Sequence, residues 1–360
     1  MRNRLLLIIL SLSFFISLFG QARSKTTSES LNNILRQYVR DSIPGMAVGI
    51  VQNGEIIFES YVGKANLSHD IRISDKTRFN IASNAKQFTA LMVLQLSLEN
   101  KLSLEDDIRK YLPKLYPEVS EEIKIRQLIN HSSGIRDYVE LMGLKGNIWW
   151  KQMGLDNKDV MELLEKQEEL GFKPGSKYSY SNTNYIVLAE LIEAVTKEKF
   201  TNYSKAFFHD MGMHNTYFIE RYMGVIPNRA EPYYDWGNNL WLKSPTITKV
   251  RGDGFLFTTL SDQLKYEQRL HQTSASDRLL NLSQKPIPNS QIVSYGFGLE
   301  LSKWSERVAA HHSGATLGYN CQLIRFQEEK LSVLVLSNNG NLRSDLVADT
   351  IASLFLPVRK

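Results

Sequence analysis

Runs that favour strands lie at both ends of this chain, and helical periodicity fills the stretch between them. Met46 to Val51 and Glu55 to Val62 are rich in Val and Ile and are joined by Asn53-Gly54, a dipeptide suited to a two-residue hairpin turn. Residues 295–301, 308–312, 318–326 and 331–337 also read as strands. From about residue 82 to 256 apolar residues recur instead at three- and four-residue steps, as Phe88, Leu91, Leu94 and Leu98 do within 82–100. Further helices are predicted over 123–130, 158–169, 184–196 and 203–211, and others over 27–41 and 342–355. Residues 222–244 are aromatic and Asn-rich without period and read as a long loop lining a cleft. Strands supplied by both ends belong to one sheet only if the chain returns to it. The class predicted is therefore α+β, with the sheet drawn from about 27–80 and 255–360 and a helical lobe from about 82–254.

The first residues are set apart. Arg2 and Arg4 precede an uncharged run from Leu5 to Phe19, followed by Gly20-Gln21-Ala22, the three zones of a secretory leader. A spanning helix needs roughly 20 apolar residues, more than this run supplies. Residues 1–22 are thus expected to be a cleaved signal peptide, residues 23–360 the domain, and the protein periplasmic or extracellular with no stable membrane anchor. Loss of Arg2 and Arg4 lowers the formal charge of +5 by two, and the remaining basic residues are scattered among acidic ones, so nucleic acid is not an expected partner. The single cysteine, Cys321, cannot close an internal disulfide and sits in an apolar stretch, as a small buried hydrophobe does.

Three short strings carry the chemistry. In Ser83-Asn84-Ala85-Lys86 the lysine lies three residues after the serine, on the same face of a helix start. A hydroxyl is a poor nucleophile until a base takes its proton, and a buried lysine can be that base. The plain alternative is a helix cap with a solvated lysine. Against it, this is the chain's only Ser-x-x-Lys, and it sits between Phe79-Asn80-Ile81-Ala82 and Phe88-Thr89-Ala90. Tyr180-Ser181-Asn182 follows the Pro174-Gly175 turn, and in an extended loop residues two apart share a side. A tyrosine there can relay a proton and an amide can hydrogen-bond lysine and substrate; an Asn cap over a packed tyrosine is the plain alternative. His312-Ser313-Gly314 ends an apolar strand, where glycine lets a substrate backbone come close. The N–H of Ala315 then pairs with that of Ser83 as an oxyanion hole, or the strand simply ends in a turn.

These strings resemble the serine β-lactamase and penicillin-binding protein superfamily, in the branch of class C β-lactamases, D-alanyl-D-alanine carboxypeptidases and related esterases. Phe79 to Ala90 is similar to its nucleophile segment, Tyr180-Ser181-Asn182 to its Tyr-x-Asn element and His312-Ser313-Gly314 to its third element. Pro44-Gly45, Leu128 to Gly134, Gly252-Asp253-Gly254, Tyr295 to Gly298 and Val335 to Asn338 match supporting segments. The resemblance implies a β-lactamase/transpeptidase-like fold, a mixed and mostly antiparallel sheet flanked by helices plus an all-helical lobe. It implies Ser83 as the acylated nucleophile, Lys86 as base or relay and Tyr180 as helper in proton transfer. Asn182, His312, Ser313, Gly314 and Ala315 then hold substrate and oxyanion, with no metal and no cofactor. Where many β-lactamases carry Lys-Thr-Gly this chain has His312, whose ordinary pKa near 6.5 leaves it largely neutral. The reaction expected is cleavage of an amide or ester, on D-amino-acid peptides or small esters, including peptidoglycan-derived ones. A true β-lactamase and a non-catalytic envelope-peptide or penicillin binder are the alternatives.

Other machineries lack their signatures. The seven histidines include no His-x-x-x-His pair, no serine has glycine two before and two after it, and no Gly-rich phosphate loop appears.

Overall fold

A computed structural model describes residues 28–146, 154–221, 224–245 and 248–356; the leader expected over 1–22 lies outside them. Six strands form one sheet in the spatial order Glu300–Trp304, Arg307–Thr316, Tyr319–Phe326, Leu331–Ser337, Met46–Gln52 and Glu55–Val62. Every neighbouring pair is antiparallel, so the sheet is not mixed, although both ends of the chain build it as expected. The first hairpin turns at Asn53 (φ +52°) and Gly54 (φ +81°), the left-handed pair that a two-residue turn demands.

Successive side chains along a strand serve opposite faces, and here each face has a core. Met46, Val48 and Ile50 join Leu331, Val333 and Val335 beneath a helix over 28–38 and the helix Ser344–Phe355. Ala47 and Val51 join Leu334 and Leu336 on the other face, in a core continuous with the helical region. Strand Leu331–Ser337 is buried at every residue, which explains its nearly unbroken apolar sequence. Each such Val or Leu contributes about 1.5–3 kcal/mol by leaving water.

The middle of the chain supplies helices Lys86–Leu98, Ile125–Ile129, Tyr138–Leu144, Asn157–Leu164, Asn182–Thr196 and Phe200–Asp210. Three departures from the sequence reading bear on the site. Helix Leu260–His271 was not predicted, yet it packs on strand Met46–Gln52, where a Cβ on Gly49 would lie 2.7 Å from the Leu264 side chain. The strand expected over 295–301 begins only at Glu300; the preceding turn passes so near helix Lys86–Leu98 that a Cβ on Gly298 would meet the Gln87 nitrogen at 2.4 Å. Within the loop expected over 222–244, strands Tyr233–Asp235 and Trp241–Lys243 pair as a small hairpin; residues 222 and 223 are outside the described set.

Candidate active site

The helix predicted from residue 82 begins with one turn of 3-10 geometry, Ala82–Ala85, before α-helix Lys86–Leu98. Ala82 has φ +47°, and its N–H is caught by the Asn80 side chain at 2.9 Å. This kink leaves Ser83 partly exposed while Ala82, Asn84 and Ala85 are buried.

Lys86 is fully buried. Its Nζ donates to Ser83 Oγ (3.0 Å), Asn182 Oδ1 (2.9 Å) and the Asp253 carbonyl (2.7 Å), all neutral oxygens. The side of Asn182 that faces Lys86 is fixed from behind. Asp137, an acceptor only, takes both the Asn182 N–H (2.6 Å) and its side-chain NH2 (3.1 Å), which turns Oδ1 toward the amine. Asp137 in turn caps helix Tyr138–Leu144 through the Val139 N–H.

Ser181 is extended (φ −145°, ψ 120°), so Tyr180 and Asn182 share a side as the alternation predicted. The Tyr180 ring centroid lies 5.1 Å from Lys86 Nζ, a cation–π distance. Its hydroxyl makes no hydrogen bond among the described residues; the phenol reaches the amine through its ring.

Strand Arg307–Thr316 brings the third string alongside. Gly314 is required there, because a Cβ would fall 2.3 Å from the Ile81 carbonyl just before the Ser83 turn. His312 faces the same way and is buried. Its Nδ1 lies 2.5 Å from the Ser313 carbonyl and so carries the proton, and Nε2 accepts from the Tyr295 hydroxyl at 3.0 Å. Burial, with the Lys86 charge nearby, pushes its pKa down to about 3, so the imidazole is neutral at working pH. The neutral histidine expected from its ordinary pKa is thus neutral by a wider margin, and it supplies no cation to a substrate.

The side chains of Ser313 and Ala315 point to the opposite face of the sheet, so those residues offer the site only backbone. No described strand pairs with that backbone, although the Ser313 carbonyl already accepts from His312 Nδ1. Pairing with Glu300–Trp304 ends at His311. The two-residue turns at Ser305-Glu306 and Leu317-Gly318, all with positive φ, fix the same parity: Arg307, Ala309 and His311 bond toward Glu300–Trp304, His312 and Gly314 toward Tyr319–Phe326. Ser313 and Ala315 therefore direct their N–H and C=O groups to the vacant edge.

Sequence reasoning missed Asp137, and it placed His131, Asp253 and Tyr295 in supporting segments without giving any of them a role. Asp253 is buried, its Oδ1 has no partner among the described residues, and burial lifts its carboxyl to about 6 against the pull of Lys86. Cys321 is buried and burial raises its thiol to about 12, an inert state.

Residues 31–355 match the Beta-lactamase family. The chain belongs to that family. It is 27% identical over 307 residues to a penicillin-binding protein of Bacillus subtilis (strain 168), covering 80% of this chain and 66% of that one. It is 30% identical over 305 residues to a D-aminopeptidase of Brucella anthropi, covering 82% of this chain and 56% of that one. The chain therefore matches between about half and two thirds of these relatives' length. Its fold is similar to that of a penicillin-binding protein from Bacillus halodurans (TM-score 0.77, 24% identity, 90% of this chain and 99% of the other).

Proposed function

We propose that this member of the Beta-lactamase family is a serine hydrolase that cleaves the amide or ester bond of a small D-amino-acid substrate through an acyl-enzyme on Ser83. One observation carries the reading: a fully buried amine, bonded only to neutral oxygens, lies 3.0 Å from the one accessible hydroxyl of its turn.

The chemistry follows from the acceptors. Asn182 Oδ1 and the Asp253 carbonyl can only accept, so they take two of the amine's protons and turn its remaining position toward the Ser83 hydroxyl. Ser83 Oγ bonds to the substrate carbonyl carbon as its proton passes to Lys86. The N–H groups of Ser83 and Ala315 receive the oxyanion. The carbon–leaving-group bond then breaks as Tyr180 relays the proton to the departing nitrogen or oxygen. Water hydrolyses the Ser83 ester and the hydroxyl is restored. The open backbone of Ser313 and Ala315 suits an extended substrate laid along the edge.

The D-aminopeptidase relative supports a D-amino-acid substrate, peptidoglycan fragments included, and the neutral His312 disfavours substrates that need a cation for their carboxylate, as β-lactams do. The leader-like sequence of residues 1–22 supports action outside the cytoplasm.

Incubation with a fluorophosphonate followed by mass spectrometry tests the nucleophile: one adduct on Ser83 is expected, and labelling elsewhere refutes the mechanism. Turnover of D-alaninamide and short D-peptides over their L forms tests the substrate class. Equal rates on both would remove it.

A further inference from the structure

Tyr180 is 36% exposed and has no hydrogen bond from its hydroxyl among the described residues, yet its ring is set against Lys86. Its placement is fixed by a neighbour. We infer that His131 is the positioning residue for Tyr180: it binds the backbone on both sides of that tyrosine and stacks against its ring. The inference rests on the reading of Tyr180 as the proton relay given above.

The two peptide N–H groups that flank Tyr180 both end on His131. Ser179 donates to the His131 carbonyl (2.9 Å) and Ser181 donates to its Nδ1 (3.2 Å). The imidazole and phenol centroids are 4.3 Å apart with planes 33° from parallel. A shift of Tyr180 thus breaks two hydrogen bonds and a ring contact at once.

His131 is itself held. It is fully buried, and Tyr295 packs edge-on against its ring at 4.6 Å. The next residue, Ser132, takes the Gly175 N–H at 2.7 Å, so the turn at Pro174-Gly175 is anchored on the same segment. The Asn184 amide lies 3.3 Å from Nδ1, and Asn184 is fixed by the Ser133 hydroxyl at 2.6 Å.

One protonation state makes this work. The Ser181 N–H can only donate, so Nδ1 is the bare nitrogen and the ring proton is on Nε2, which is buried without a partner among the described residues. A second proton would set two N–H groups face to face. Burial, with Lys86 and His312 adding to it, holds the imidazole far below its ordinary pKa and keeps this tautomer.

Two substitutions separate the parts of this contact. His131→Phe keeps a ring against Tyr180 but removes the Nδ1 acceptor. His131→Asn removes the ring but keeps an acceptor, its Oδ1, at nearly the Nδ1 position, and Asn tolerates the φ of +56° found at this residue. They are compared with Tyr180→Phe in the full chain by two measurements. The first is hydrogen exchange at the Ser181 amide. His131→Phe is expected to speed it about fivefold, the loss of one hydrogen bond, and His131→Asn to leave it protected.

The second is the ratio of turnover on D-alaninamide to turnover on a p-nitrophenyl ester, whose leaving group departs without a proton. Each His131 variant should lower that ratio about tenfold or more with KM little changed, and neither should lower it further in the Tyr180→Phe background. Unchanged Ser181 exchange in His131→Phe overturns the inference. So does an equal fall of amide and ester turnover in variants whose melting temperature is intact. Faster exchange in His131→Phe while Tyr180→Phe leaves amide turnover whole would keep the positioning and refute the relay. If His131→Phe fails to fold, His131→Asn decides alone: a lowered ratio with Ser181 still protected supports the inference, and an unchanged ratio overturns it.

Discussion

Lys86 and Arg325 are both almost completely buried, and they are held in opposite ways. Arg325 meets Glu267 through two hydrogen bonds of 2.7 and 2.5 Å, and Ser332 and Gln284 complete the network. Burial alone would raise the Glu267 carboxyl, but the charge and hydrogen bonds of Arg325 outweigh it, and its pKa lies below the ordinary value. Lys86 has three bonds to neutral oxygens and, among the described residues, no ion pair with a carboxylate. A cation matched by an anion is stable and inert. An amine held by neutral oxygens alone keeps its hydrogen bonds directed at the Ser83 hydroxyl rather than at an anion. The protein thus holds one buried basic side chain in an ion pair and another among neutral oxygens, the one proposed to act on Ser83.

The sharpest break of this contrast is at Ser83, the proposed nucleophile. Ser83→Ala should lower turnover by about four orders of magnitude or more and abolish covalent labelling, while calorimetry finds the melting temperature nearly unchanged. Next come the cations themselves. Lys86→Met should cut acylation on the order of 1,000-fold with stability kept or raised, since no charge is stranded. Arg325→Met strands Glu267 and should lose about 3–5 kcal/mol in denaturant unfolding. If Arg325→Met were as stable as the parent, the contrast would fail.

Giving Lys86 the anion it lacks is the complementary test. Asn182→Asp sets a carboxylate against the amine and should slow acylation on the order of 100-fold. Acylation at the parent rate would mean that Lys86 is not the base.

The smallest effect concerns Asp253. Its folded pKa of about 6 exceeds the model-peptide value of 3.8, so the folded state binds its proton more tightly. That stabilisation is complete below pH 3.8 and is lost as pH rises through about 6. His312, whose pKa is depressed, works the other way: its share is complete above 6.5 and is lost as pH falls toward 3. Unfolding curves of Asp253→Asn and the parent at pH 4 and 7 isolate the first term. The variant should gain on the parent by no more than about 3 kcal/mol between the two, and a gap that stays constant would contradict the raised pKa.

Features that depend on neighbours in sequence were readable. Asn53-Gly54 announced its hairpin, the three-residue step joined Ser83 to Lys86, and the two-residue step put Tyr180 and Asn182 on one side. Helix Leu260–His271 was not readable, because part of its buried face is Glu267, and a buried charge spoils apolar periodicity unless Arg325, far along the chain, is known to meet it. Asp137 and His131 escaped for the same reason. Each acts on residues roughly 45 to 50 positions away, and each looks alone like a cap or a loop residue.

By itself the sequence determined which groups were available for reaction and on which local face each would lie, because helix and strand geometry repeat over a few residues. Only the tertiary structure decided that the amine would face neutral oxygens, that His312 would be buried beside it, and that the strand edge at Ser313 and Ala315 would stay open. Those outcomes turn on burial and on partners distant in the chain, and solvent exclusion is a property of the packed whole rather than of any segment.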